Sequence, residues 1–393
     1  MNGEEIRQAF VKFFVSLRVT VVLLVLSMIL IFWATLAQVK LGVWGVQEQF
    51  FRTFFVLAKI PGTEIPMPAF PGGYFLGGLL LINLLAAHIY RFSFSWKKAG
   101  IQLTHFGLIL LLVGEMLTSI LQEEYQLRLD QDQPRNYSES FRENELAIID
   151  TSDPQFDNVV AIPENLIASR TEIQVPQLPF RVVPRFYVPN ASLGRKTPGD
   201  ERSFGVPDLA TQGLGPQISV APQPVTYKDN ERNLPMAYVE LIGAEGSIGT
   251  WLVSPMLVAP QTFEYGGRSW RLSFRFERAY KPYSLELLEL KHDVYPGTQI
   301  PKNFSSRVRI ETPDGQDDRE ALIYMNNPLR YGGLTFYQYQ MDSVNGFSVL
   351  QVVRNPSWPI PYIACGLMGL GLLVQFGLHL VSFARRRAKM STT

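Results

Sequence analysis

A single cysteine, Cys365, occurs in 393 residues, and histidine occurs four times. With no CxxC pair the chain has no dithiol for disulfide exchange, and with no CxxCH it carries no covalently attached haem of the c type. Net charge is missing as well: 36 Lys and Arg against 35 Asp and Glu leave +1, which argues against nucleic acid as a partner. Charge is also absent locally, since four long segments hold almost none while roughly 122–358 has ordinary globular composition. That distribution predicts an integral membrane protein with one large water-facing domain.

The first segment, 19–39 (VTVVLLVLSMILIFWATLAQV), runs 21 residues without a charge. At about 1.5 Å per residue this crosses a hydrocarbon core of roughly 30 Å. Its apolar run exceeds a signal-peptide core and no small-x-small site follows, so a retained helix is expected. Further transmembrane helices are predicted over about 72–90 and 99–121, and a C-terminal one within 359–393, over about 360–383, followed by a basic tail. Arg7, Lys12 and Arg18 precede the first helix, Arg91, Lys97 and Lys98 link the second to the third, and Arg385, Arg386, Arg387 and Lys389 follow the fourth. Basic flanks stay cytoplasmic, so both termini are expected in the cytoplasm and residues 122–358 outside an inner (cytoplasmic) membrane.

Two aromatic segments, 6–18 with Phe10, Phe13 and Phe14 and about 43–60 with Phe50, Phe51, Phe54 and Phe55, read as helices lying in the membrane interface. In the outer region, alternation of period two recurs in YQLRLDQ, NELAIID, FRVVPRFYV, SWRLSFRFERAY, PYSLELLELKHDV, SSRVRIETPDG, REALIYM, LTFYQYQMD and FSVLQVV, between proline and glycine turns. The expected fold class is therefore four transmembrane α-helices, three N-terminal and one C-terminal, carrying a mostly antiparallel β domain. Residues 189–233, rich in Pro, Gly and charge, are expected to form a long mobile insertion.

Function enters through motifs. YPGTQIPKNFSSRVRI (295–310), MNNPLRYGGLTFYQYQMD (325–342) and VVRNPSWPIPYIACGLMGLGLLVQF, together with FFVSLRVTVVLLVLSMI and THFGLILLLVGEML near the N-terminus, resemble the ResB (CcsB) family of cytochrome c biogenesis proteins. The resemblance implies a role in system II: with a ResC/CcsA-type membrane partner, such a protein moves haem across the membrane for attachment to apocytochrome c. The chain would be half of a cytochrome c synthase, with no catalytic residue of its own assigned and no metal other than haem iron. The tryptophan-rich haem signature belongs to the partner, and the six tryptophans here form no such cluster. The family's haem-ligating histidine of the third helix matches His105.

His105 has two readings, haem ligation or contact with headgroups and a neighbouring helix. At about 100° per residue, Gly107 and Gly114 share a face roughly 180–200° from it. The glycine face is expected to meet the chain's own helices, leaving His105, Leu108, Ile109, Leu112 and Met116 for a ligand or partner. His88 and His379, also near basic helix ends, are weaker haem candidates, and His292 reads as a solvated strand position. Glu115 is expected near the outer interface. NPLRYGG reads as a turn, the aromatic row Tyr331, Phe336, Tyr337 and Tyr339 as core packing or as a surface that meets the partner or the apocytochrome, and Arg330 as a haem-propionate contact. The alternative function is a membrane-anchored scaffold or apocytochrome chaperone that binds no haem.

Overall fold

The computed structural model describes residues 3–59, 65–91, 95–196, 205–228, 231–298, 301–342 and 344–390. Residues 197–204 and 229–230 of the expected insertion, Ile60 of the expected surface helix, and the side chains of Phe10 and Lys389 lie outside the described set. The chain divides into two units: one comprises 1–123, 227–229 and 355–393, the other 124–226 and 230–354.

The first unit begins with α1 (Gly3–Phe14) and α2 (Leu17–Val46), then a π-helical turn at Gln47–Phe51 and a hairpin of β1 (Phe55–Lys59) and β2 (Pro66–Pro71). α3 (Gly73–Arg91) and α4 (Ala99–Leu121) follow. Among the described residues, four helical stretches are long and apolar enough to cross a membrane, at Leu17–Phe51, Gly73–Tyr90, Trp96–Leu121 and Pro359–Ala388. On α2, Leu23, Leu30 and Ala34 are buried at helical spacing, while the apolar Val21, Met28 and Phe32 are exposed. Asn83, 2% exposed on α3, ties the α1–α2 junction down. Its Nδ2 donates to the Phe14 carbonyl at 2.6 Å, and its Oδ1 accepts from Thr20 Oγ1 at 2.6 Å. A carbonyl orphaned at the end of α1 thereby gains a donor.

Two expectations are corrected in this unit. Residues 6–18 are not one helix, because the chain breaks at Val15–Ser16, where Asn83 collects the freed carbonyls. Residues 43–60 are not one helix either. α2 kinks at Gly42, whose φ of 73° belongs to the left-handed region, and the aromatic run leaves the helix to pair Phe55–Lys59 with Pro66–Pro71. Val56 in that strand is buried in the core. A Cβ at Gly42 would stand 3.0 Å from Lys228 Cα, and Trp44 stacks on Tyr227 at 5.5 Å, so residues of the expected insertion pack against this kink.

The second unit contains β3 (Glu123–Asp130), β4 (Arg135–Asp150), β5 (Asn158–Pro163), the short helix α5 (Glu164–Ala168), β6 (Arg181–Val188), β7 (Ala191–Arg195), β8 (Ile218–Pro222), β9 (Met236–Gly243) and β10 (Gly246–Val253). It continues through β11 (Gln261–Tyr265), β12 (Arg268–Val294), β13 (Pro301–Glu311), β14 (Asp318–Tyr324), β15 (Leu329–Tyr331), β16 (Leu334–Asp342) and β17 (Phe347–Arg354), before α6 (Pro359–Met390) returns to the first unit. A ten-stranded sheet has the order β14-β13-β12-β4-β3-β17-β16-β15, with β11 and β5 added on β12 and β4. β10-β9-β6 and β7-β8 form smaller sheets. The strand pairs whose register is described are antiparallel, among them β12 with β4 and β13, β16 with β17, and β9 with β6 and β10.

The alternation read from sequence is visible in β12, where Trp270, Leu272 and Phe274 are buried and the intervening Arg271, Ser273 and Arg275 take the other face. Pro282 lies in the register break between Tyr280 and Leu285, where a missing N–H costs the ladder nothing. One core joins Leu146, Ile148, Val239, Trp251 and Trp270, and a second joins Leu127, Leu285, Val308, Phe336 and Leu350. The described part of 189–233 is not a mobile loop, which corrects that expectation. β7 pairs with β8, Val206 and Val220 are buried, and Lys196 Nζ reaches Asp208 at 2.6 Å. Arg232 lies between the Phe141 and Phe276 rings at 4.3 and 4.4 Å and donates to Gln126 Oε1 at 2.9 Å. Polar and cation–π contacts hold this segment where apolar residues are few.

Candidate functional site on the fourth helix

α4 carries Gly100, Gly107 and Gly114 at seven-residue intervals, two turns apart, so all three fall on one stripe. All three are buried against α6. A Cβ at Gly100 would lie 2.6 Å from the Gly371 carbonyl oxygen, one at Gly107 2.8 Å from the Ala364 carbonyl oxygen, and one at Gly114 2.5 Å from Ile360 Cγ2. Gly371 answers from α6, where a Cβ would meet Thr104 Oγ1 at 2.6 Å. The two antiparallel backbones therefore touch, as small residues allow in a membrane. The expected pair of glycines is really a longer seam, and the missed Gly100 was legible in the same spacing.

His105 is exposed on the opposite side with Phe106, Leu108, Leu112 and Met116. Ile109 departs from the expected face: it is 9% exposed and belongs to the buried side of the bundle. The imidazole is oriented by its own helix, with Nδ1 2.8 Å from the Ile101 carbonyl oxygen. A carbonyl can only accept, so Nδ1 carries a proton and donates it, and Nε2 is the nitrogen left to face outward. An imidazole held by one nitrogen and exposed at the other, in an apolar surround, is of a kind that could ligate a haem iron. Glu115 is exposed beside the glycine stripe.

The other histidines are placed differently. His379 on α6 is exposed, but its Nε2 is engaged by the Gln375 side-chain amide at 2.8 Å. Gln375 lies against Gly100, so five residues of α4 and four of α6 separate His105 from His379 along the antiparallel pair, about 13 Å at 1.5 Å per residue. The two do not converge on one metal. His88 is half-buried on α3, near the helix end at Arg91. Among the described residues no group of three histidine, cysteine or carboxylate side chains could hold a metal ion.

In the β unit, Met325–Asn326 forms a tight hairpin loop in which Tyr324 and Asn327 exchange backbone hydrogen bonds, and Asn326 takes φ 62°. Gly332 and Gly333, at φ 57° and 75°, then turn Tyr331 back onto Leu334. Phe336 is fully buried and Tyr331 packs on the same core, while Tyr337 and Tyr339 are exposed on β16. Arg330 is exposed. His292 stacks on Phe304 across β12 and β13 at 4.7 Å.

A match to a known family falls on this segment. Residues 256–345 match the ResB-like family. The protein NrfI of Wolinella succinogenes is 34% identical over 92 residues, which is 23% of this chain and 10% of that protein. The cytochrome c biogenesis protein CcsB of Synechococcus elongatus is 29% identical over 93 residues, 24% of this chain and 20% of that protein. The same protein of a second Synechococcus strain gives the same figures. The matches thus span a tenth to a fifth of the length of these relatives.

Proposed function

The chain is ResB-like by residues 256–345, and from that premise we propose that it is a membrane subunit of cytochrome c biogenesis that presents His105 to haem iron. The observation that carries the reading is the bond from His105 Nδ1 to the Ile101 carbonyl, which leaves Nε2 free on the helix face turned away from α6. Haem supplies the group that is joined to apocytochrome c, and here it is cargo. The chain's own residues hold it: His105 offers one nitrogen, and Leu108, Leu112 and Met116 offer an apolar wall. A ResC/CcsA-type partner would supply the opposing ligand and the outer surface where attachment occurs. In this reading the basic clusters at Arg7–Arg18, Arg91–Lys98 and Arg385–Lys389 are cytoplasmic, and the β unit lies on the far side of the membrane.

The test is the absorption spectrum of the chain co-purified with its partner, together with the yield of holocytochrome c. His105→Ala should lose the haem bands and the yield, and His105→Gly should regain both with added imidazole. If both variants keep the wild-type spectrum, His105 is not a ligand. A second reading, a scaffold for the partner or apocytochrome that touches no haem, is favoured by the exposed Tyr337 and Tyr339 within the ResB-like segment. It predicts that Tyr337→Ser with Tyr339→Ser lowers the yield while the haem bands stay.

A further inference from the structure

Two adjoining cavities meet at Arg18, where α1 gives way to α2. The first, about 480 Å³, is lined among others by Lys12, Ser16, Arg18 and Tyr90. The second, about 270 Å³, is lined by Phe13, Phe14, Val22 and Leu79 with neighbouring aliphatic residues, and Arg18 is the one polar side chain it shares with the first. Among the described residues no carboxylate lines either cavity, and Lys12 and Arg18 form no ion pair. Ser16, the N-cap of α2, makes no side-chain capping bond and is among the residues that line the cationic cavity.

We propose that this junction binds one anionic phospholipid, its phosphate between Lys12 and Arg18 and an acyl chain along the Phe13–Val22–Leu79 groove. Charge and depth both point to that occupant. Arg18 immediately precedes the charge-free run that begins at Val19, so the cationic cavity lies where headgroups meet hydrocarbon and the apolar cavity extends inward from it. The N-terminus of α2 adds its partial positive charge on the same side as the two cations. A haem would bring anionic propionates too, but apart from Tyr90 the lining residues include no side chain that ligates its iron. The site is thus distinct from the His105 face and does not depend on haem handling.

The test uses the full chain in nanodiscs of mixed phosphatidylglycerol and phosphatidylcholine, followed by mild detergent extraction and native mass spectrometry. The wild type should retain one phosphatidylglycerol in strong preference to phosphatidylcholine. Lys12→Gln with Arg18→Gln should cut that preference by about thirtyfold, since each basic side chain at a membrane surface is worth roughly fivefold. Val22→Trp, which fills the groove and leaves both charges, should lower retention of both lipids. Equal retention of the two lipids by the wild type, or undiminished preference in the double variant, overturns the proposal. So does displacement of the lipid by millimolar inorganic phosphate, which would mark a site for a soluble anion. The wild-type preference is informative even if a variant fails to fold.

Discussion

His105 and Gly107 stand two residues apart on α4 and face opposite ways: the imidazole is exposed, whereas a Cβ on the glycine would lie 2.7 Å from Met368 Cγ and 2.8 Å from the Ala364 carbonyl oxygen. Half a helical turn divides a surface open to a partner from one that locks the chain to itself. Gly107→Val must push α6 away, since one neighbour is backbone and cannot rotate aside. Overpacking of this kind costs about 1–3 kcal/mol. The thermal midpoint in detergent should fall, while Leu108→Ala on the exposed face should leave it nearly unchanged. A midpoint that stays put in Gly107→Val would mean that the α4–α6 seam is not close-packed in the membrane.

How much of this was legible beforehand follows from how local each signal is. The helices α2, α3, α4 and α6 announce themselves because a charge-free run of membrane length has one stable conformation in hydrocarbon, whatever surrounds it. The strands β12 and β17 show plain alternation because one face is buried. The segment 43–60 misleads: its aromatic residues sit at helical spacing, yet the left-handed backbone at Gly42 and the pairing with Pro66–Pro71 decide the outcome, and neither is a local propensity. The segment 189–233 misleads for a different reason. The order of its described part comes from Arg232 between two phenylalanines and from the β7–β8 pairing, which hydropathy does not register. In the candidate site, the glycine spacing was readable, but the tautomer of His105 required the Ile101 carbonyl to be placed.

Asn83 offers a second test within the membrane unit. Replacing it by leucine removes the donor to the Phe14 carbonyl and the acceptor for Thr20 together, with little change in volume. Interhelical hydrogen bonds in membranes are worth roughly 0.6–1.7 kcal/mol. Asn83→Leu should therefore destabilise reversible unfolding in mixed micelles by about 1 kcal/mol, and Asn83→Leu with Thr20→Val should cost little more than Asn83→Leu alone. Additive losses in the double variant would show that the two side chains act independently.

The glycine pair after Tyr331 separates two causes of strain. Both residues have positive φ, but the space around a Cβ on Gly333 is open, whereas one on Gly332 would stand 2.9 Å from Cε1 of the buried Tyr283. A side chain in the left-handed region costs about 1–2 kcal/mol by itself. Gly333→Ala should lose about that much in urea unfolding of the full chain. Gly332→Ala should lose more, and Gly332→Ala with Tyr283→Leu should recover the difference. Equal losses at the two positions would mean that the Tyr283 ring yields freely.

Lys281 gives a pH dependence with a defined sign. Its side chain is buried, with Nζ donating to Ser138 Oγ at 2.7 Å and to the Ala279 carbonyl at 3.2 Å, two neutral oxygens with no carboxylate between them. Burial pulls the amine down from 10.5 to about 8. Below pH 8 the amine is charged in both the folded and unfolded chain, so the full cost of burying the charge is present, on the order of 3 kcal/mol. Between about 8 and 10.5 the unfolded chain binds more protons than the folded one, so stability rises with pH. Above 10.5 the amine is neutral in both and that cost is gone. Lys281→Met, of similar length and uncharged, should therefore be more stable than wild type at neutral pH, and the gap should close as the pH passes from 8 to 10.5. Taking the difference between the two proteins at each pH cancels the titration of the tyrosines, several of which are shifted upward by burial. A gap that stays constant over this window would mean that the Lys281 ammonium is as well solvated in the folded chain as in the unfolded one.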